Sequence, residues 1–270
     1  MKDMNISPAL SNRGIKMIKV PEFQINFIGF SFTDALISSN LELRKAISLA
    51  FDIKKRIIHS NYCIVPIEGP IPFGVSGYDP NYQNPYNSND INKAKEHLKN
   101  AGFENGINPN TGKALEFDFD LGDTSSFHRQ TAELMVEDMK KIGVKIKPYL
   151  NNKPRFFQKL REGKMQLFRL SWIGDYPDAE NFLQLFYSHN AGSCNRTQFK
   201  DAEFDKMFEE IKIMPDCHER TEKYRIMAEY LTTKCPCIFE SRPLSYRLIH
   251  KWVMNYVPHD FPYTQWKYLS

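Results

Sequence analysis

The stretch that decides the fold covers positions 169–182 and reads Arg-Leu-Ser-Trp-Ile-Gly-Asp-Tyr-Pro-Asp-Ala-Glu-Asn-Phe. An apolar run from Leu167 to Trp172 is typical of a short buried strand. A glycine and a proline then end the strand, and Asp178 is placed to cap a helix over 179–187. A strand end that meets a helix start is where α/β folds keep their ligands, because backbone amides and the helix dipole face outward there.

The side chains at this corner suit a zwitterionic ligand. Asp175 offers a carboxylate to an ammonium group, and Arg169 offers a guanidinium to a carboxylate. Trp172 and Tyr176 supply aromatic surface for the ligand's side chains. Strand alternation places Arg169 and Trp172 on opposite faces, so a shared site requires a bulge or the strand end between them.

The chain from Leu115 onward alternates between strand and helix patterns. Apolar residues alternate with polar ones over 115–121, and helical spacing follows from Ser125 to Ile142. A second strand, a helix opened by Asn152 and the strand of the corner come next. This order predicts an α/β layer with helices packed on a mostly parallel sheet.

The first part of the chain predicts two strands within 13–33, broken at Pro21 because proline donates no ladder hydrogen bond. Asn40 predicts the cap of one helix that continues to Ile57. Arg44 and Asp52 lie on that helix, where a structural ion pair is the simpler interpretation.

Residues 61–89 read as a loop rich in proline. Its aromatic residues either line a ligand cleft or pack the loop onto the body; these are Phe73, Tyr78, Tyr82 and Tyr86. After Pro236 the sequence predicts extended segments over 238–240 and 246–249. An aromatic tail follows, with Trp252, Tyr256, Phe261, Tyr263 and Trp266.

Composition excludes several classes of protein. A net charge of +4 without a basic run does not indicate a nucleic-acid partner. No segment approaches the roughly 20 apolar residues of a membrane span, and positions 1–8 hold no apolar signal region. The five cysteines are spaced irregularly, so they predict neither a metal site nor a full disulfide framework, although one Cys194–Cys217 bridge stays open. We expect no cofactor.

Motifs of enzymes are missing from the sequence. It contains no glycine-rich dinucleotide or phosphate loop, no Gly-x-Ser-x-Gly elbow and no His-Glu-x-x-His. Asp175 and Asp178 form the one local carboxylate pair that suggests a hydrolase. Because acidic residues commonly cap helices at such turns, we expect no catalytic residues and no enzyme.

Five ordered motifs resemble the extracytoplasmic solute-binding proteins, family 5, which serve peptide, nickel and sugar ABC transporters. They are Phe-Ile-Gly-Phe-Ser-Phe-Thr-Asp at 27–34, the helix Leu-Arg-Lys-Ala-Ile-Ser-Leu-Ala-Phe-Asp-Ile-Lys at 43–54, Gly-Pro-Ile-Pro at 69–72 with Asn-Lys-Ala-Lys-Glu-His-Leu-Lys-Asn-Ala-Gly-Phe at 92–103, the corner at 169–182, and Phe204-Asp205 with Arg220, Tyr224 and Pro236. Ser31 replaces the family's usual Asn, and Ala179 replaces its Pro.

The resemblance implies the C-terminal lobe of a two-lobed, class II periplasmic-binding-protein-like fold, with the N-terminal lobe largely missing. Residues 1–35 are expected to supply hinge and first-lobe strands, 36–236 the ligand-binding lobe, and 237–270 the return to the hinge and first lobe. In peptide-binding members the aspartate three residues after the tryptophan pairs with the peptide's ammonium, which Asp175 and Trp172 match.

The sequence thus predicts the substrate-binding component of an ABC uptake transporter, which binds oligopeptides between its lobes and delivers them to a membrane permease. Ligand-binding residues are expected to be Asp175, Trp172, Arg169 and Tyr176. The intact receptor is expected to be periplasmic or extracytoplasmic, with the missing lobe in the same or a companion chain. A non-binding remnant or interaction module and a carboxylate-dependent hydrolase are the alternatives.

Overall fold

A computed structural model gives the structure of the protein and describes residues 6–256. The strands are β1 (Ile15–Pro21), β2 (Gln24–Phe30), β3 (Ile64–Pro66), β4 (Glu116–Leu121), β5 (Lys145–Leu150), β6 (Leu167–Ile173) and β7 (Cys237–His250). The helices are α1 (Pro8–Asn12), α2 (Ala35–Ser39), α3 (Leu41–Ala50), α4 (Ile53–His59), α5 (Ile91–Asn100), α6 (Ser126–Lys140), α7 (Lys153–Arg161), α8 (Glu180–Leu183), α9 (Ala202–Ile213) and α10 (His218–Lys234). Short 3-10 helices cover Glu104–Gly106, Gln184–Phe186 and Ser188–Asn190.

The sheet has the strand order β1-β7-β2-β6-β4-β5, and β3 pairs with β7 outside this path. Only β4, β5 and β6 run parallel, whereas β2 and β7 are antiparallel to their neighbours. The α/β class is therefore confirmed, but the expected mostly parallel sheet is mixed. The cause is that strands from both ends of the chain complete the sheet beside β6.

Two hydrophobic clusters cover the two faces of the sheet. Along β6 the side chains alternate, so that Phe168 packs with the cluster under α8, α9 and α10, and Leu167 packs with the cluster under α3, α5 and α6. This two-sided burial is why β6 begins with two consecutive large apolar residues, Leu167 and Phe168. None of the helices described combines the length and the apolar character needed to cross a membrane.

The terminal strands leave the lobe together. Strands β1 and β2 follow each other along β7 with a break after Pro21, as the sequence predicts. Beyond that break β1 pairs only with the far half of β7, from Pro21 opposite Leu244 to Ile15 opposite His250. We call this two-stranded extension the ribbon. The predicted lobe boundaries near residues 35 and 236 stay predictions.

The helix predicted from Asn40 to Ile57 is two helices. Asn40 does cap α3, but the chain becomes extended at Phe51, and the Asp52 side chain then caps α4. The suggested Arg44–Asp52 ion pair is absent from the described part of the chain. The buried Arg44 guanidinium instead donates to four backbone carbonyls, those of Ile37, Ser38, Lys234 and Cys235.

The aromatic residues of the 61–89 loop lie in two places, and their predicted role in a ligand cleft stays a prediction. Phe73, Tyr78 and Tyr82 line a cavity of about 290 Å³ between the loop and α10. Tyr86 packs edge-on against His97 of α5, with ring centroids 6.0 Å apart. In the predicted C-terminal aromatic group, Trp252 and Tyr256 are described, and Phe261, Tyr263 and Trp266 lie outside the described residues.

Candidate ligand-binding site

The corner after β6 lies at the base of the ribbon. The backbone N–H of Gly174 donates to the Phe23 carbonyl, 2.9 Å away, which extends the β2–β6 pairing by one residue. A Cβ atom at Gly174 would lie 1.9 Å from Cε1 of Phe23. Only glycine therefore allows the chain to turn this tightly against the aromatic ring.

The helix of the corner is shorter than predicted. In place of a helix over 179–187, α8 spans Glu180–Leu183 and continues as the 3-10 helix Gln184–Phe186. Asp178 is not its cap residue, although its Oδ1 accepts a hydrogen bond from the Glu180 N–H at 2.8 Å. The run of large apolar side chains here is buried in the core, and this packing overrides helical propensity.

Asp178 is occupied by structural contacts. Its Oδ2 accepts from Arg220 Nη1 at 2.9 Å, and its Oδ1 accepts from the Tyr224 hydroxyl at 2.7 Å. Burial, followed by the hydrogen bond to Asp178, raises the pKa of Tyr224 above its ordinary value. Burial and then the charge of Asp178 raise the pKa of Glu180. These bonds attach α10 to the corner, so Asp178 serves the fold.

Asp175 presents an exposed carboxylate. Within residues 6–256 it takes part in no ion pair, and its one side-chain hydrogen bond is a long one, from Asn181 Nδ2 to Oδ2 at 3.4 Å. Trp172 lies beside it, half-buried against the cluster that contains Phe182. This carboxylate is therefore available to a cation from solvent.

Asn181 holds Trp172 and Asp175 in place. Its buried Oδ1 accepts a hydrogen bond from the Trp172 indole Nε1 at 2.9 Å and another from the Asp175 backbone N–H at 3.2 Å. Asn181 lies within the corner sequence, but its pattern predicts no role for it. The available signal was a polar side chain directly before the apolar pair Phe182 and Leu183.

Arg169 lies apart from this group. The β2–β6 register is unbroken from Leu167 to Ile173, so no bulge brings Arg169 to the face of Trp172. Its Nε donates to Glu240 Oε2 at 2.7 Å and its Nη2 to Oε1 at 3.1 Å. The structure thus groups Trp172, Asp175 and Asn181 and places Arg169 on the other face. Its role toward a ligand stays a prediction.

His128, near the start of α6, lies within range of the charges of Arg169 and Glu240. Burial and the positive charge of Arg169 lower the pKa of its imidazole below the ordinary 6.5. The ring is therefore neutral at pH 7. Tyr176 is 42% exposed at the corner, and partial burial raises the pKa of its phenol, which keeps its proton at neutral pH.

The two departures from the family pattern are accommodated. Ser31 is buried, and its hydroxyl shares a 2.7 Å hydrogen bond with that of Thr33. Ala179 has a φ of −63°, which is close to the angle that proline imposes.

Within the described residues no group of three or more potential metal-ligating His, Cys, Asp or Glu side chains occurs. All five cysteines are free thiols. The possible Cys194–Cys217 bridge is therefore absent, and the Cys194 thiol instead donates to the Gln184 carbonyl at 3.7 Å.

A lobe whose sheet is completed by strands from both chain ends, which then depart side by side, has the fold of one half of a two-lobed, periplasmic-binding-protein-like structure. Comparison with known proteins gives the family. Residues 1–194 match the bacterial extracellular solute-binding proteins, family 5 (middle region), and the chain belongs to this family. These proteins are transport receptors and not enzymes, so the hydrolase alternative is set aside.

Among curated relatives, the chain is 27% identical over 257 residues to heme-binding protein A of Haemophilus influenzae, across 92% of this chain and 45% of the relative. It is 27% identical over 195 residues to the oligopeptide-binding protein OppA of Bacillus subtilis, across 70% and 35%. The chain therefore spans less than half the length of these relatives.

Solved structures show the same fold. HbpA2 from Haemophilus parasuis superposes with a TM-score of 0.86 at 24% identity, across 97% of this chain and 51% of the other. DppA from Helicobacter pylori, solved in complex with the peptide STSA, superposes with a TM-score of 0.77 at 22% identity, across 92% and 47%.

Proposed function

We propose that this chain is the C-terminal lobe of an ABC-transporter receptor that binds oligopeptides by their free ammonium group. The observation that carries this proposal is the exposed Asp175 carboxylate, which has no ion-pair partner in the described region and is fixed beside Trp172 by Asn181. An ammonium is the natural counterpart of such a carboxylate, because a charge-assisted hydrogen bond is about twice as strong as a neutral one.

The contrast with Asp178 supports the assignment. Both carboxylates lie in one turn, but Asp178 is bonded to Arg220 and Tyr224, whereas Asp175 faces solvent. A ligand at Asp175 would also lie next to the indole of Trp172 and the exposed ring of Tyr176. Flat aromatic surface suits varied side chains, because it makes few demands on hydrogen-bond geometry.

A first lobe is proposed to complete the cleft, since the relatives are about twice as long as the region that they share with this chain. Whether that lobe lies in the same chain or in a companion, closure over the ribbon would bury the ligand and present a closed receptor to a membrane permease. The site of action is proposed to be extracytoplasmic, which is supported by the description of the family as extracellular solute-binding proteins.

The test compares trialanine with N-acetyl-trialanine, which lacks the ammonium, by NMR titration of the uniformly ¹⁵N-labelled protein. Trialanine is expected to shift the amide signals of 172–176, and both N-acetylation and Asp175→Asn are expected to weaken this binding at least tenfold. Glu222→Gln, which removes one negative charge from the exposed side of α10, is the matched control. Equal binding of the acetylated peptide would refute the ammonium anchor.

Affinity of the isolated chain is expected to be weak, in the millimolar range, because one lobe supplies only part of the contacts. Micromolar binding would contradict this expectation. Haem is titrated in parallel because one relative is named for it. If haem absorbance shifts and no peptide response is seen, haem would replace peptide as the proposed ligand. If neither haem nor peptide binds, the non-binding remnant would be the better interpretation.

A further inference from the structure

The cavity beside the 61–89 loop has a mostly apolar wall. It encloses about 290 Å³ between this loop, the base of the ribbon and α10. Ile67 and Ile71 are buried side chains of its lining. Aromatic rings add to the apolar surface; these are Phe73, Tyr78 and Tyr82. Neither Trp172 nor Asp175 belongs to the lining, so the cavity is separate from the candidate ammonium site.

Contacts with the rest of the fold hold this cavity open. Arg242 donates to the carbonyl of Phe73 at 2.9 Å and to that of Pro21 at 3.2 Å, which joins the loop to the ribbon. The Tyr82 hydroxyl shares a hydrogen bond with Thr232 Oγ1 of α10. Packed protein interiors leave few voids larger than a water molecule, whereas ligand pockets are usually preformed. These contacts therefore frame a space that the side chains of the loop do not fill.

Carboxylates outnumber cations around the cavity. Three of them belong to its lining, those of Glu68, Asp79 and Glu229. In the part of the chain that the structure describes, none of these three takes part in an ion pair. Two guanidiniums also belong to the lining, but Arg225 is paired with Glu222, and Arg242 donates to backbone carbonyls. The surroundings of the cavity therefore favour a cation over an anion.

Glu68 and Glu229 act on the same aromatic ring. Burial, followed by the charges of Glu229 and Glu68, raises the pKa of the Tyr82 phenol above its ordinary value. Glu68 is oriented by a hydrogen bond from the Asn84 N–H to its Oε2 at 3.0 Å, and Glu229 is exposed on α10. A cation beside Tyr82 would be attracted by the ring and by both carboxylates.

We propose that this cavity is a second ligand site, which binds an arylalkylammonium: an aromatic ring that carries a short aminoalkyl chain. The apolar wall takes the ring, and the ammonium lies between Glu68 and Glu229. The volume agrees with this class of ligand, because an apolar cavity of about 150 Å³ holds a benzene molecule. A cavity of 290 Å³ has room for such a ring and a short chain. The site stands independently of peptide binding at Asp175.

The test compares three probes that share a phenyl ring on a short chain and differ in charge. They are 2-phenylethylamine, 2-phenylethanol and 3-phenylpropionate, and each is titrated into the uniformly ¹⁵N-labelled protein at pH 7. The amine is expected to shift the amide signals of 67–82 saturably. It is expected to bind at least tenfold more tightly than the alcohol or the acid. The amide signals of 172–176 report separately on any amine that binds at Asp175.

Two variants address the charge and the space. Glu229→Gln removes one exposed charge and is expected to weaken amine binding at least fivefold, while binding of the alcohol stays the same. Glu219→Gln is the control, because Glu219 lies in the first turn of the same helix and outside the lining. Ala228→Leu narrows the cavity and is expected to abolish the shifts at 67–82. Thermal unfolding of each variant verifies that it is folded.

Three outcomes would overturn the proposal. Equal binding of amine and alcohol would show that the carboxylates do not select a cation. Unchanged signals of 67–82 at millimolar amine would exclude a ligand site and leave the cavity as a seat for another part of the receptor. Shifts confined to 172–176 would assign the amine to Asp175 instead. Because Ala228→Leu and Asp175→Asn each alter one site, failure of this proposal and failure of the proposed function are distinguishable.

Discussion

Replacing Asn181 with alanine tests how the candidate site is held together. The change removes the acceptor for Trp172 Nε1 at 2.9 Å and for the Asp175 N–H at 3.2 Å, together with the weaker 3.4 Å contact to the Asp175 carboxylate. Each well-formed bond contributes about 1 kcal/mol net, and the half-buried indole N–H loses its partner. We expect the free energy of unfolding to fall by about 2–3 kcal/mol.

The assay is urea unfolding followed by far-ultraviolet circular dichroism, with Asn92→Ala on the exposed side of α5 as the control. The control is expected to change stability by less than about 0.5 kcal/mol. A double-mutant cycle with Trp172→Phe, which deletes the indole N–H, isolates the hydrogen bond and is expected to show a coupling of about 1 kcal/mol. Additive single effects, or an Asn181→Ala loss no larger than that of the control, would refute the assignment of Asn181 as the clamp.

Three further changes test the fold and its charges. Gly174→Ala should destabilise the protein by more than about 2 kcal/mol in thermal unfolding, because the added Cβ would overlap the Phe23 ring. Gly69→Ala is the control and should be nearly neutral, since no atom lies within 4 Å of its Cβ position. Equal effects of the two changes would contradict the close approach of Gly174 to Phe23. Arg44→Met should lower the free energy of unfolding by about 3 kcal/mol or more, since it leaves four backbone carbonyls without the Arg44 donor. An unchanged midpoint of urea unfolding would show that these hydrogen bonds contribute nothing to stability. Burial and the charge of Arg169 lower the pKa of His128, so the unfolded chain takes up that proton first and stability should fall as the pH drops below about 6.5. His128→Asn should reduce this loss between pH 7.5 and 5.5 in thermal unfolding, and an unaltered pH profile would exclude His128 as its source.

Local signals in the sequence predicted much of the fold. Asn40 marks the start of α3 as predicted, because a short acceptor side chain at the N-cap satisfies a free backbone N–H of the first turn. Asn152 marks the start of α7 in the same way. The break of the Asn40 helix at Phe51 escaped prediction, since apolar spacing continues across it while Asp52 starts a new cap.

Contacts between residues that are distant in the chain could not be predicted from the sequence. Arg169 and Glu240 are 71 positions apart in the sequence. Their side chains meet because β6 and β7 both pair with β2, one on each side. The mixed sheet has the same origin, because alternation of strand and helix describes β4 to β6 but says nothing of the strands that join from the chain ends. At the corner, Asp175 and Asp178 look alike in sequence, and only the position of α10 distinguishes the bonded carboxylate from the open one.

The ribbon has a consequence for how such a lobe can be rearranged in evolution or in the laboratory. Pro21 and Leu244 are paired neighbours, so the chain enters and leaves the lobe at points only about 5 Å apart. A unit with adjacent entry and exit can be grafted into another protein in place of a tight turn, because the host needs to open only a narrow gap. Residues 22–243 contain both hydrophobic clusters, so a transplant of this segment would cut two strands and leave both clusters intact.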